Sequence, residues 1–117
     1  MPKVFIPQVP QRRDKATQAL EPAVNINPAQ EHGDLVVMLP SNANFYATSD
    51  LVAQLANHLD SYCYEEGDII VAIGDPTIMA AAFSYLGAKF GKFKIGKWDR
   101  SMQRYLLATI NVQGVPK

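Results

Sequence analysis

Four groups of residues in this chain have types and spacings that chemistry uses. The first is Gly74-Asp75-Pro76-Thr77, which closes a continuous β-branched run and opens an alanine-rich segment with helical spacing. Ligands of open α/β sheets bind outside the carboxyl ends of strands, where helix N-termini offer N–H groups, so Gly74, Asp75 and Thr77 are candidates for a small-ligand or phosphate site. The same residues also read as plain helix capping, because aspartate is a preferred N-cap and proline a preferred first helical residue. An aspartate there repels an anion, and neither a glycine-rich dinucleotide fingerprint nor a P-loop lysine is present. The second group interleaves Lys92, Lys94, Lys97, Arg100 and Arg104 with Phe93, Trp98 and Tyr105. That composition suits a phosphate backbone with stacked bases, or an acidic protein surface. Lysines of this kind also protect an edge strand from aggregation. The third group, His32, His58 and Cys63, brings only His58 and Cys63 near each other in sequence, so no metal is expected, and Cys63 has no basic neighbour to activate it. The fourth, Glu65-Glu66-Asp68, sits in a turn and reads as solvated carboxylates. No catalytic residue and no cofactor is expected.

The charges are balanced in number and segregated in order. Eleven basic residues face eleven acidic ones. Residues 1–15 hold Lys3, Arg12, Arg13 and Lys15 against Asp14 alone, and residues 89–117 hold seven basic residues against Asp99 alone. Residues 16–88 contain no Lys or Arg and nine carboxylates. Such asymmetry points either to partners or to a chain whose acidic middle folds against its own basic ends. A further expectation is that the acidic middle of one copy meets the basic hairpin of another.

With 117 residues, 48% of them apolar and 19% charged, the chain has the balance of one globular domain. Apolar runs such as 35–39 and 69–73 are far too short to cross a bilayer, and the N-terminus lacks the apolar region of a signal peptide. A lone cysteine forms no internal disulfide. A reducing, cytosolic compartment is the expectation.

The elements that must position these residues follow from periodicity. Five of the eight prolines fall within residues 2–28, which forbids a continuous helix. Residues 1–33 therefore read as an extended Pro-rich arm, with 3–9 apolar enough to add an edge strand. A compact α/β domain follows over 34–113. It holds a strand at 35–39, an amphipathic helix over about 49–62, a buried strand at 69–73, and a second helix from Pro76 stopped by Gly87 or Gly91. A third strand carries Phe93 and Ile95, Asp99–Gln103 turns, and an alternating strand closes the chain. The fold class is a small Rossmann-like β-α-β-α-β-β sheet, with a parallel core and an antiparallel C-terminal hairpin strand.

Ile73-Gly74-Asp75-Pro76 before an alanine-rich helix, with Lys97-Trp98-Asp99-Arg100 and Arg104-Tyr105 before a closing strand, resembles a family of small uncharacterised proteins encoded by tailed bacteriophages. Val4-Phe5-Ile6, Arg12-Arg13-Asp14, Asn27-Pro28-Ala29 and the run from Gly33 to Pro40 follow the same pattern. The resemblance covers most of the chain and implies that the arm belongs to the fold. It implies no activity and no functional residue.

The expected function is that of a small phage-encoded accessory protein without enzymatic activity, located in the host cytoplasm. It would engage a host or phage macromolecule, protein in preference to nucleic acid, through Lys92, Lys94, Lys97, Trp98, Arg100, Arg104 and Tyr105. The rival is a small-ligand site, enzymatic or not, at Gly74, Asp75 and Thr77. The two readings differ in whether a large pocket lies beside Gly74. Alternation on both flanks of the hairpin predicts that Trp98 and Tyr105 face one another across it.

Overall fold

Prolines and β-branched residues break the first forty residues into short extended pieces. In the computed structural model, which describes residues 2–41, 43 and 48–114, these are β1 (Lys3–Gln8), β2 (Gln11–Arg13), β3 (Leu20–Pro22) and β4 (Asp34–Leu39), with a 3-10 turn at Asn27–His32 before β4. Then come α1 (Thr48–Leu59), β5 (Ile69–Val71), α2 (Pro76–Phe90), β6 (Lys92–Asp99) and β7 (Arg104–Asn111). Five strands form one sheet in the order β4-β1-β5-β6-β7, while β2 and β3 pair as a separate ribbon. β4, β1, β5 and β6 run parallel, and β7 returns antiparallel through the hairpin. The fold is thus mixed α/β, with a mostly parallel sheet closed by an antiparallel C-terminal hairpin.

The expected edge position of the N-terminal strand is corrected. β1 lies between β4 and β5, with Val4 opposite Leu35 on one side and Ile69 on the other. Val4, Phe5 and Ile6 are fully buried. Proline permits this because Pro2 precedes the strand and Pro7 stands near its end, leaving the bonded middle of the strand free of proline. The lysines of β6 are corrected too. β6 is an interior strand, so Lys92, Lys94 and Lys97 protect no sheet edge.

Alternation along β1 splits the core. Phe5 packs with Leu51, Leu55, Leu59, Ile70, Ile78, Leu86 and Phe93 beneath both helices, which share that face of the sheet. Val4 and Ile6 join Ile69, Val71, Ile73 and Tyr105 on the other face, covered by Ala29, Ile26 and Val9 of the segment that leads from β1 to β4. That segment, part of the expected extended arm, carries the β2–β3 ribbon and the 3-10 turn and forms a layer of its own.

Boundaries shift where local hydrogen bonds compete. The first helix ends at Leu59 rather than 62, because Ser61 Oγ donates to the His58 carbonyl and the Ser61 and Tyr62 amides bond three residues back. Gly91, in the left-handed region at φ 82°, stops the second helix, and Gly87 lies within it. β5 ends at Val71 because the Ile73 amide turns back to the Val71 carbonyl.

Polar groups hold β1 at both ends. Asp68, fully buried, accepts from the backbone amides of Lys3 (2.8 Å) and Cys63 (2.9 Å) and pairs with Lys3 Nζ at 3.2 Å. At the other end, Gln8 Nε2 donates to the carbonyls of Pro40 and Ser41, each at 3.1 Å, and its Oε1 accepts from the Asp75 amide at 3.1 Å. Gly33, at φ 150°, lets Pro2 approach so closely that a Cβ there would lie 2.2 Å from the Pro2 carbonyl oxygen, which accepts from the Asp34 amide.

Removing the Asp68 carboxylate strands two buried amides and the Lys3 ammonium. Asp68→Ala is expected to cost roughly 3 kcal/mol, the range for leaving partners of a buried charge unpaired, and Asp68→Asn less. Urea unfolding followed by far-UV circular dichroism measures both.

Candidate functional site

The chain leaves β1 toward β4 on one side and leaves β5 toward β6 on the other, so the carboxyl ends of β1 and β5 open between diverging connections. A cavity of 440 Å³ lies there, lined by Pro10 beyond β1, Ala72, Ile73 and Gly74 beyond β5, Trp98 and Tyr105 of the hairpin, and Val24 and Asn25 of the ribbon segment. Its walls are mainly apolar carbon. Three side chains bring polar groups, the Asn25 amide, the Tyr105 hydroxyl and the Trp98 indole N–H.

Each wall has a local cause. Trp98 and Tyr105 are cross-strand partners whose rings meet edge to face at 5.0 Å between centroids, as alternation predicts. The turn that sets this register is built on Asp99, whose Oδ1 accepts from the Ser101 amide (2.9 Å), the Ser101 hydroxyl (2.8 Å) and the Met102 amide (3.2 Å). Those bonds, the Ser101 hydroxyl first, hold the Asp99 carboxyl below the usual carboxylate range. Tyr105 is buried, and its hydroxyl donates to the Asn25 carbonyl at 3.3 Å. Burial pushes its phenol up, so it is protonated at neutral pH. His32 Nε2 donates to the Tyr105 carbonyl at 2.9 Å, fixing the 3-10 turn against the start of β7. Gly74, at φ 120°, makes the turn out of β5 where a Cβ would press on Gln8 at 3.0 Å.

The cavity joins members of both candidate sets. Gly74 comes from the strand–helix junction, Trp98 and Tyr105 from the hairpin. Asp75 and Thr77 do not line it. The Asp75 carboxylate caps α2, accepting from the Thr77 amide at 2.8 Å, and Thr77 is exposed.

The basic residues are dispersed. Lys92 and Lys94 reach over the Tyr64 ring, 4.5 and 4.9 Å from its centroid. Arg104 forms a two-pronged contact with Glu31 at 3.2 and 3.0 Å. Lys97 and Arg100 are exposed at the hairpin tip. Some of the segregated charges meet within the chain: Lys3–Asp68, Arg12–Glu21, Lys89–Asp60 and Arg104–Glu31 each join a basic end to the acidic middle. Asp60 also accepts from Tyr85 Oη, and the Lys89 and Tyr85 bonds hold its carboxyl below the usual range.

Pro10, Val24, Asn25, Ala72 and Ile73 were not legible as site residues. The available signal was the length of the segment between β1 and β4, since loops of that size in compact domains are commonly binding elements. Among the described residues, no three His, Cys, Asp or Glu side chains converge as a metal site, and no helix is long and apolar enough to cross a membrane.

The family model for the phage Pam3 gp32-like proteins matches residues 2–112. The chain belongs to that family. The match runs from before β1 to the end of β7, so in this phage protein family of unknown function the N-terminal strand and the hairpin belong to one unit, as the resemblance implied. No curated protein and no solved structure matches the chain.

If Asp75 serves only as a cap, Asp75→Ala lowers stability by roughly 0.5–2 kcal/mol and Asp75→Ser recovers most of it. Thermal unfolding of the three proteins checks this. A serine variant as unstable as the alanine one would show that the carboxylate does more than cap.

Proposed function

We propose that this phage protein is a non-enzymatic binding module that takes a flat, apolar group of a small molecule into the cavity at the carboxyl ends of β1 and β5. The observation that carries this reading is the meeting of Gly74 with the Trp98–Tyr105 pair around one 440 Å³ space. That size falls within the range of small-molecule sites. Trp98, 37% exposed, offers a ring face for stacking, and Asn25 supplies a polar group at the rim. The lining contains no carboxylate, imidazole, thiol or cation, and its one phenol, Tyr105, is held protonated on the Asn25 carbonyl, which supports binding over catalysis. We read the sheet as a small Rossmann-like one, in which the β2–β3 ribbon and 3-10 turn stand where the first crossover helix would be.

A second reading keeps the hairpin as a macromolecular contact. Lys97 and Arg100 flank a shallower 360 Å³ concavity that shares Trp98 with the cavity, an arrangement that suits an acidic protein partner at the hairpin tip. Nucleic acid is less well served, because Tyr105 is buried and Arg104, Lys92 and Lys94 are engaged within the chain.

Trp98 is the only tryptophan, so its emission reports on its own surroundings, and Ala72, which lines the cavity and not the hairpin-tip concavity, separates the two. Titration with 8-anilinonaphthalene-1-sulfonate is expected to quench it saturably at one probe per chain. Ala72→Leu, which fills the cavity, should abolish the quenching with thermal stability retained, while Ile110→Lys, remote from the cavity, should leave it intact. Absence of saturable quenching, or quenching insensitive to Ala72→Leu, overturns the reading.

A further inference from the structure

We propose that β7 is a self-association edge: two copies pair their β7 strands antiparallel about a two-fold axis at Thr109, joining their sheets into one.

The backbone defines which groups are open. The Gly96 carbonyl accepts from the Ala72 amide at 2.9 Å and so points toward β5. Strand alternation then turns residues 93, 95, 97 and 99 of β6 toward β7. Their partners on β7 are Ile110, Ala108, Leu106 and Arg104, so Tyr105, Leu107, Thr109 and Asn111 direct their N–H and C=O groups away from the sheet. His32 occupies the outward carbonyl of Tyr105, as this alternation requires. Among the described residues, the backbone groups of Leu107 and Thr109 find no partner on that side.

Free edges are normally guarded by lysine, proline or a bulge. From Tyr105 to Asn111 this strand has no charged residue, no proline and no break in its pairing with β6. The lysines lie one strand inward. Leu106, Leu107 and Ile110 are 40, 45 and 40% exposed, and Val112 just beyond is 47% exposed.

The sequence of the strand selects a second copy as the occupant. A two-fold axis at Thr109 sets Ala108 opposite Ile110 on the helix-side face, twice over by symmetry, so apolar meets apolar there. On the other face Thr109, whose Oγ1 lies 3.4 Å from Tyr64 Oη of its own chain, meets itself, and Leu107 meets Asn111. No like charges oppose across the strand, and the His32 contact that blocks Tyr105 lies outside the paired stretch. An isologous contact of this kind needs nothing but the chain itself. The area is small, so the dimer is reversible and depends on concentration.

Sedimentation velocity over rising protein concentration tests the pairing. The wild type is expected to pass from monomer to dimer. In Thr109→Glu, the new carboxylate faces Lys94, the cross-strand partner of Thr109, within one copy but faces itself across the axis. This variant should keep its circular dichroism and dimerise at least tenfold more weakly. In a Cys63→Ser background, Thr109→Cys should form a disulfide-linked dimer on mild oxidation, since directly opposed residues approach within disulfide range. A wild type that stays monomeric, a Thr109→Glu dimer of undiminished affinity, or a Thr109→Cys chain that does not cross-link would each overturn the proposal.

Discussion

Everything on the cavity face depends on the insertion of β1 between β4 and β5. Burying that strand removes Val4, Phe5 and Ile6 from water and supplies apolar side chains to both halves of the core. Apolar burial has no direction, so it does not choose which strands flank β1. Direction comes from the polar ends. Asp68 collects the amides of Lys3 and Cys63 at one end, and Gln8 bridges Pro40, Ser41 and Asp75 at the other. A strand out of place would leave the fully buried carboxylate without partners, a cost larger than most single packing defects.

From this insertion the site follows. Once β1 is interior, the chain beyond it must return along the sheet to start the parallel β4 beside it, and the ribbon segment that makes the return covers the face opposite the helices. That segment brings Val24 and Asn25 over the ends of β1 and β5. The hairpin supplies the remaining wall because Asp99 shapes its turn and His32 ties its second strand to the 3-10 turn. The segregation of charge serves the same end. Each of the four ion pairs between basic ends and acidic middle joins segments distant in sequence or pins the ribbon, so part of what reads in sequence as a signal for partners is used in holding the chain together.

Local chemistry in the sequence was readable where it was self-contained. The cap at Asp75, the left-handed stop at Gly91 and the facing of Trp98 and Tyr105 each depend on a few adjacent residues, and each stands in the structure as periodicity and turn chemistry predict. What periodicity could not supply was strand order. Pro2 and Pro7 argue for an edge only if they interrupt a ladder, and here they stand at or near its ends, which no count of prolines reveals. For the same reason the candidate site was read in two halves. Gly74 lies 24 and 31 residues before Trp98 and Tyr105, and they converge only because β5 and β6 are neighbours and the hairpin folds over the cavity face. In the sequence Asp68 reads as a solvated turn carboxylate, and it is the buried anchor because the strand that needs it arrives from the other end of the chain.

Native-state hydrogen exchange of the β1 amides tests this account most directly. If β1 is the clamped interior strand, the amides of Phe5 and Ile6 exchange as slowly as that of Ile70 on β5, and only through global unfolding. Rapid exchange of Phe5 and Ile6 while Ile70 remains protected would mean that the N-terminal strand opens by itself, and would contradict the dependence of the sheet and its cavity on β1.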